Sequence, residues 1–241
     1  GELKEKVAQG VAWSMAEKVG TMLLQLAVSL TILRLLNPAI MGVIAIPTAF
    51  LAVAIVIADS GFSQALIRKG TPTADDYKSV FAFNVGVALV LYGVLVALAG
   101  SIARFYDMPE ITRIAPVFFL QLPLSAACAI QNTIFVRTFR FALLSKVTFA
   151  SWFIAGMVAI GLALAGFGIW CIVVQRVLQA SVRALLLWWL SDWRPCGKCS
   201  RRPLREMAPY SFSLLATDFI STLYNTVSYT HLRAHETDSY L

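Results

Sequence analysis

Charged residues are scarce in this chain, and their scarcity excludes most classes of soluble protein. Asp, Glu, Lys and Arg make up 14% of the 241 residues, whereas 59% of the residues are hydrophobic. A soluble domain of this size carries roughly a quarter charged residues. With a mean hydropathy of +0.74, the chain is predicted to be an integral membrane protein.

Histidine and cysteine are also scarce, which limits metal chemistry. The two histidines, His231 and His235, have an i, i+4 spacing that could bind a metal on a helix, but the motif lacks a third ligand. Cys196 and Cys199 form a single CxxC, for which half a zinc site, a redox pair and coincidence remain open, with coincidence favoured. We therefore predict no metal site and no cofactor.

An enzyme that acts at a membrane face would need paired carboxylates. The sequence contains one adjacent acidic pair. Asp75 and Asp76 are adjacent and follow Thr73. Thr, Asp and Ser are preferred at helix N-termini, so this group is interpreted as the beginning of a helix rather than as a general acid and base. The protein is predicted not to be an enzyme.

Long apolar runs are abundant. A helix crosses the hydrocarbon core with about 20 apolar residues, and polar segments rich in Pro and Gly separate runs of that length. A seventh run begins near Ala208, and the fold class is therefore all-α. The six complete runs are Val11–Leu33, Met41–Ala58, Ser79–Ala103, Ile111–Phe135, Leu143–Ala165 and Ile169–Leu190.

Basic residues lie mostly on one side of these runs. The net charge is +7, and thirteen Lys and Arg residues lie at the N-terminus and in the even-numbered connections, against three in the odd-numbered ones. Cytoplasmic connections carry the excess of Lys and Arg. The N-terminus is therefore predicted to be cytoplasmic, and the charge is interpreted as topology rather than as nucleic-acid binding.

Two arginines lie within the sixth apolar run. Gln179 and Arg183 follow Arg176 by three and seven residues, so a helix places the three side chains along one face. An Arg near the bilayer centre costs about 2.5–3.5 kcal/mol on insertion scales. Because guanidinium groups bind phosphate and carboxylate through paired hydrogen bonds, the stripe predicts a hydrated site for an anionic group. A structural ion pair is the alternative.

Other polar residues interrupt the first three runs. Lys18 and Gln25 lie on one face of the first helix, and Glu17 lies at the edge of that face. These residues would face a cavity, or Lys18 would reach the headgroups with Glu17 as its surface counter-ion. Asp59 ends the second run, either as a cavity acid or as a helix terminator. Asn84 in the third run is interpreted mainly as an interhelical hydrogen-bonding residue.

The C-terminal segment departs from membrane periodicity. From Val227 the run VSYTHLRAHET resembles the translation of a transposon-end sequencing adapter. Residues 226–241, which include both histidines, are therefore expected to be a non-native tail. The encoded protein is expected to continue beyond Asn225.

Several strings around the spans resemble those of a known family. The chain is similar, over Leu3 to about Asn225, to Wzx-type lipopolysaccharide and exopolysaccharide flippases of the colanic-acid exporter-like branch. These flippases belong to the multidrug/oligosaccharidyl-lipid/polysaccharide superfamily. The strings, in order, are LNPAIMG, ADSGFSQALIRK, FYDMPEI, RTFRF, GFGIW and WRP.

The resemblance implies two six-helix lobes around a central cavity. Residues 1–206 would form the N-terminal lobe, and residues 207–225 would begin the second. Such a protein moves an oligosaccharide linked to undecaprenyl pyrophosphate across the bacterial inner membrane by alternating access. The expected partners are this lipid-linked substrate, membrane lipids, and polysaccharide polymerase and assembly proteins.

The resemblance also suggests roles for single residues. Arg176 and Arg183, with Gln179 between them, would hold the pyrophosphate, and Lys18 and Gln25 would guide the head group. Asp59 occupies the acidic position of the ADSG string and is a candidate for ion coupling, as is Glu17. The alternatives are a drug or cation antiporter of the same superfamily and a non-transporting scaffold for polysaccharide assembly.

Overall fold

A computed structural model of the protein describes its backbone at residues 2–36, 38–59, 61–195, 197 and 199–238. Side chains are described for residues 15, 18–36, 40–59, 61–195, 197, 199–217 and 220–221. The described backbone contains α-helices and no strand. The helices are α1 (Glu2–Leu35), α2 (Pro38–Asp59), α3 (Phe62–Arg68), α4 (Ala74–Phe105), α5 (Glu110–Phe118), α6 (Gln121–Arg137), α7 (Phe141–Leu164), α8 (Trp170–Leu190) and α9 (Arg201–Asp238).

Six segments of the described chain are long and apolar enough to cross a membrane. They comprise parts of α1 and α2, the whole of α4, α5 with α6 as one span, α7 and α8. Each corresponds to one of the six apolar runs in the sequence. The prediction of an all-α, multi-pass membrane protein is therefore confirmed.

The fourth span is broken near its middle. α5 ends at Phe118 and α6 begins at Gln121, between Pro116 and Pro123, because proline cannot donate to the helical hydrogen-bond ladder. Side chains occupy some of the carbonyls near the break. The Tyr92 hydroxyl donates to the Pro116 carbonyl at 3.0 Å, and the Gln121 amide donates to the Phe118 carbonyl at 2.7 Å.

The beginning of α4 follows the prediction made from Thr73 and the two acids. The Asp76 N–H donates to Thr73 Oγ1 at 3.3 Å, and the Thr73 N–H donates to Asp76 Oδ2 at 2.7 Å. This reciprocal pair is a capping box. Lys69 Nζ lies 2.9 Å from the buried Asp76 carboxylate, so the same acid also anchors the connection before α4.

The α2–α3 turn requires glycine. Gly61 has φ +71°, and a Cβ at this position would lie 2.8 Å from the Ser211 carbonyl oxygen of α9. α9 therefore packs directly on the turn. It begins at Arg201, two helical turns before the predicted Ala208, because Pro203 lies in the first turn, where its missing N–H is not needed.

α1 packs chiefly against α7. Gly156 of α7 accommodates the side chain of Val28, which would lie 2.8 Å from a Cβ at that position. Small residues of α7, including Ala155 and Ala159, are fully buried. Small residues at helix interfaces in membranes let two backbones approach closely.

Candidate functional site

A polar cavity lies where α2, α3, α4, α6 and α8 meet. Its volume is about 250 Å³. Apolar residues such as Ile55, Ala126 and Ile67 form part of its wall. Its polar lining consists of Asp59, Ser63, Gln64, Asn84, Ser125, Asn132, Thr133 and Arg183.

Arg183 forms one wall of the polar cavity. Its Nη2 donates to Asn132 Oδ1 at 3.1 Å. Its Nε is buried and has no hydrogen-bond partner among the described residues. Because Arg183 comes seven residues before the end of α8, it lies about 10 Å along the helix from that end. The guanidinium thus retains an unused donor well inside the bundle.

Another part of the cavity wall carries acceptors. Asn84 is 1% exposed, and its Nδ2 donates to Ser63 Oγ at 3.5 Å. The Ser63 hydroxyl donates in turn to Asp59 Oδ1. The Asn84 Oδ1 has no hydrogen-bond partner in the part of the chain that the structure describes. The interhelical hydrogen bond expected of Asn84 is present, and its buried carbonyl oxygen has no partner among the described residues.

Arg137 fixes α3 beside this wall. Its Nη1 donates to the carbonyl oxygens of Leu66, Ile67 and Lys69 at 2.5, 2.9 and 2.6 Å. Its Nη2 donates to the Gly70 carbonyl at 3.0 Å. The last carbonyls of a helix lack hydrogen-bond partners within the helix. Arg137, at the end of α6, donates the missing hydrogen bonds. Ser63 and Gln64 of α3 are thereby held against the helix that carries Asn132.

Arg176 has different neighbours from Arg183. Its guanidinium carbon lies 5.7 Å from the centre of the Trp152 ring on α7, a cation–π distance. Neither Arg176 nor the half-buried Gln179 is among the residues that line the polar cavity. The two arginines share a helical face, but they are about 10 Å apart along the axis.

The remaining predicted site residues divide between two regions. Asp59 lines the polar cavity. Lys18 is exposed and Gln25 is half-buried on α1, and neither lines that cavity. The side chains of Glu17, Cys196, His231 and His235 lie outside the described residues. No cluster of three His, Cys, Asp or Glu side chains that could hold a metal ion occurs among those that are described.

Sequence comparison identifies the family of the chain. Residues 31–230 match the profile of a family described as polysaccharide biosynthesis protein. The chain belongs to this family. The resemblance to polysaccharide flippases that the six strings indicated is thus supported independently.

Two curated relatives match most of the chain. It is 26% identical to the succinoglycan biosynthesis transport protein ExoT of Rhizobium meliloti (strain 1021), over 88% of this chain and 43% of the relative. This chain is 20% identical to an uncharacterized membrane protein in the cps region of Klebsiella pneumoniae, over 94% of this chain and 47% of the relative. The chain therefore spans less than half the length of these relatives. No solved structure matches it significantly.

Proposed function

We propose that this chain is the N-terminal part of a transporter that exports polysaccharide precursors. Its substrate is an oligosaccharide linked to undecaprenyl pyrophosphate, which crosses the bacterial inner membrane by alternating access and without covalent chemistry. The observation that carries the proposal is the Arg183 guanidinium, which faces the polar cavity with its Nε unpartnered among the described residues. The name of the Rhizobium relative, a biosynthesis transport protein, agrees with this function.

The charge of the cavity suits a phosphate group. The planar guanidinium of an arginine binds phosphate oxygens through two parallel N–H donors. Arg183 uses one donor on Asn132, which fixes the plane of the guanidinium and leaves other donors for a ligand. In a water-poor interior this interaction is stronger than at the surface.

The position of the cavity suits loading from the cytoplasm. α2, α6 and α8 end, and α4 begins, at the same end of the bundle, where the basic connections lie. The excess of Lys and Arg in these connections favours a cytoplasmic location for this end and for the N-terminus. Residues 1–206 would form the first lobe, and α9 would lead into the second, packed on α2, α3 and α4.

The other predicted residues receive secondary roles in this proposal. Arg176, Gln179, Lys18 and Gln25 would meet the head group only when a second lobe closes the central cavity. Asp59 would balance the charge of Arg183 and take part in ion coupling. Glu17 is the second candidate for coupling.

Charge removal at Arg183 tests the proposal. In the full-length protein, Arg183→Gln is expected to lower polysaccharide export by about tenfold or more, since a charge-assisted hydrogen bond contributes about 1.5–3 kcal/mol. Export would be measured as extracellular polysaccharide at equal membrane abundance. Arg113→Gln is the matched control, because Arg113 is exposed on α5. Export by Arg183→Gln equal to that of the control would refute the assignment and favour a scaffold.

A drug or cation antiporter is a second candidate, because Asp59 also lines the cavity. An antiporter would lose efflux of a cationic dye on Asp59→Asn and keep it on Arg183→Gln. In the flippase, polysaccharide export is expected to fall on Arg183→Gln. The response to that substitution separates the two candidates, whereas Asp59→Asn would impair both.

A further inference from the structure

We propose that the polar cavity binds the junction between the phosphate and the first sugar of the substrate, that is, a glycosyl phosphate. This inference rests on the proposed function and adds a sugar-binding wall to it. Arg183 would bind the phosphate, and Asn84 and Asp59 would accept hydrogen bonds from the sugar hydroxyls.

The argument begins with two unused polar atoms of opposite kind. Arg183 Nε is a donor without an acceptor, and Asn84 Oδ1 is an acceptor without a donor, among the described residues. Both atoms are buried, and both residues line the same cavity. A buried polar atom without a partner is costly, so each indicates a group that a ligand or water must supply.

Water can satisfy either atom, whereas a single ligand that satisfies both must carry acceptors as well as donors. A pyrophosphate esterified at both ends has acceptor oxygens and no donor, so it could pair with Arg183 and not with Asn84 Oδ1. A metal cation could pair with Asn84 Oδ1 and Asp59, but it would be repelled by Arg183. A sugar joined to phosphate carries acceptor oxygens at one end and hydroxyl donors at the other.

The two atoms lie on separate walls built from different helices. Arg183 and its partner Asn132 come from α8 and α6. Asn84, Ser63 and Asp59 come from α4, α3 and α2, and they form a chain in which the Asn84 amide donates to Ser63 and Ser63 donates to Asp59. This chain orders the second wall before any ligand arrives, as a binding site for hydroxyls requires.

The size of the cavity limits what enters it. About 250 Å³ lies below the range of roughly 300–1,000 Å³ typical of pockets for drug-sized ligands. The cavity therefore fits one sugar ring with its phosphate rather than an oligosaccharide. The rest of the glycan would remain outside it, so this wall would read the first sugar only.

The test measures binding of soluble probes to purified full-length protein by calorimetry. The probes are inorganic phosphate and the 1-phosphates of glucose, galactose and N-acetylglucosamine. At least one hexose 1-phosphate is expected to bind about tenfold more tightly than phosphate, the gain expected from one or two hydroxyl hydrogen bonds, one of them to a carboxylate.

Substitutions then separate the two walls. Asn84→Leu is expected to remove the preference for the sugar phosphate and leave the affinity for phosphate unchanged. Ser63→Ala, which removes the hydroxyl between Asn84 and Asp59, is expected to reduce the preference in the same direction and serves if Asn84→Leu fails to fold. Gln131→Leu is the matched control, because Gln131 is a fully buried amide without a described partner that does not line the cavity.

The outcomes distinguish this inference from the proposed function. If no sugar phosphate binds more tightly than phosphate, or if Asn84→Leu weakens both equally, the sugar-binding wall is refuted and the proposed function stands. If phosphate does not bind, or if Arg183→Gln leaves its affinity unchanged, the anion site itself is refuted. A cavity that holds only water would bind neither phosphate nor a sugar phosphate, and it would therefore refute the anion site.

Discussion

Removal of the Arg137 guanidinium is expected to loosen α3 and with it one wall of the polar cavity. Arg137→Met keeps most of the aliphatic stem and deletes the donors to four carbonyl oxygens, which lie 2.5–3.0 Å away. A hydrogen bond from a charged donor contributes about 1.5–3 kcal/mol. Part of the set is exposed, and water can replace Arg137 there, so we expect a loss of about 2–4 kcal/mol in the free energy of unfolding.

Two measurements check this expectation. Thermal unfolding in lipid nanodiscs should occur several degrees lower in Arg137→Met than in Arg140→Met, whose arginine is exposed. A cysteine introduced at Gln64 should react faster with a thiol reagent in the Arg137→Met background, because α3 carries that position into the cavity. The melting temperature and the labelling rate of Arg137→Lys should lie between those of Arg137→Met and Arg140→Met, since an ammonium has fewer donors than a guanidinium.

Identical melting and identical labelling in the Arg137→Met and Arg140→Met backgrounds would contradict this role of Arg137. A lower melting temperature without faster labelling would restrict its role to stability. In that case α3 would be held beside the cavity by the turn at Gly61 and by α9.

Two further predictions concern the turn and the topology. Gly61→Ala is expected to destabilise the protein by about 1–3 kcal/mol, because its φ is positive and the new Cβ would contact the Ser211 carbonyl; Gly86→Ala, where a Cβ meets open space, should be nearly neutral in the same melting assay. A single cysteine at Arg34 should react with an impermeant reagent from outside whole cells, and one at Arg140 only after permeabilisation; the reverse pattern would invert the orientation.

The spans were predictable because their length alone carries the signal. The break between α5 and α6 was also predictable, since Pro116 and Pro123 act through local backbone chemistry. The capping box at Thr73 and Asp76 follows from residues three apart in sequence. In each case the residues that determine the structure are neighbours along the chain.

The site was harder to predict because its contacts are distant in sequence. α3 has seven residues, too few for a recognisable periodicity, and it lies between the second and third apolar runs. From the sequence, Arg137 is only one of the basic residues that indicate topology, because its carbonyl partners lie 67–71 residues earlier. Helical spacing placed Arg176 and Arg183 on one face, but it could not indicate that Trp152 lies opposite one and Asn132 opposite the other.

The pairing of α1 with α7 bears on how the protein is made. α1 ends at Leu35 and α7 ends at Leu164, so a ribosome adding about 5–20 residues per second needs roughly 6–26 seconds between the two. During that interval α1 rests in the bilayer without the groove at Gly156 that receives Val28. During this time α1 must remain in the membrane through its own hydrophobicity. It can pack against α7 only after the fifth span has been translated.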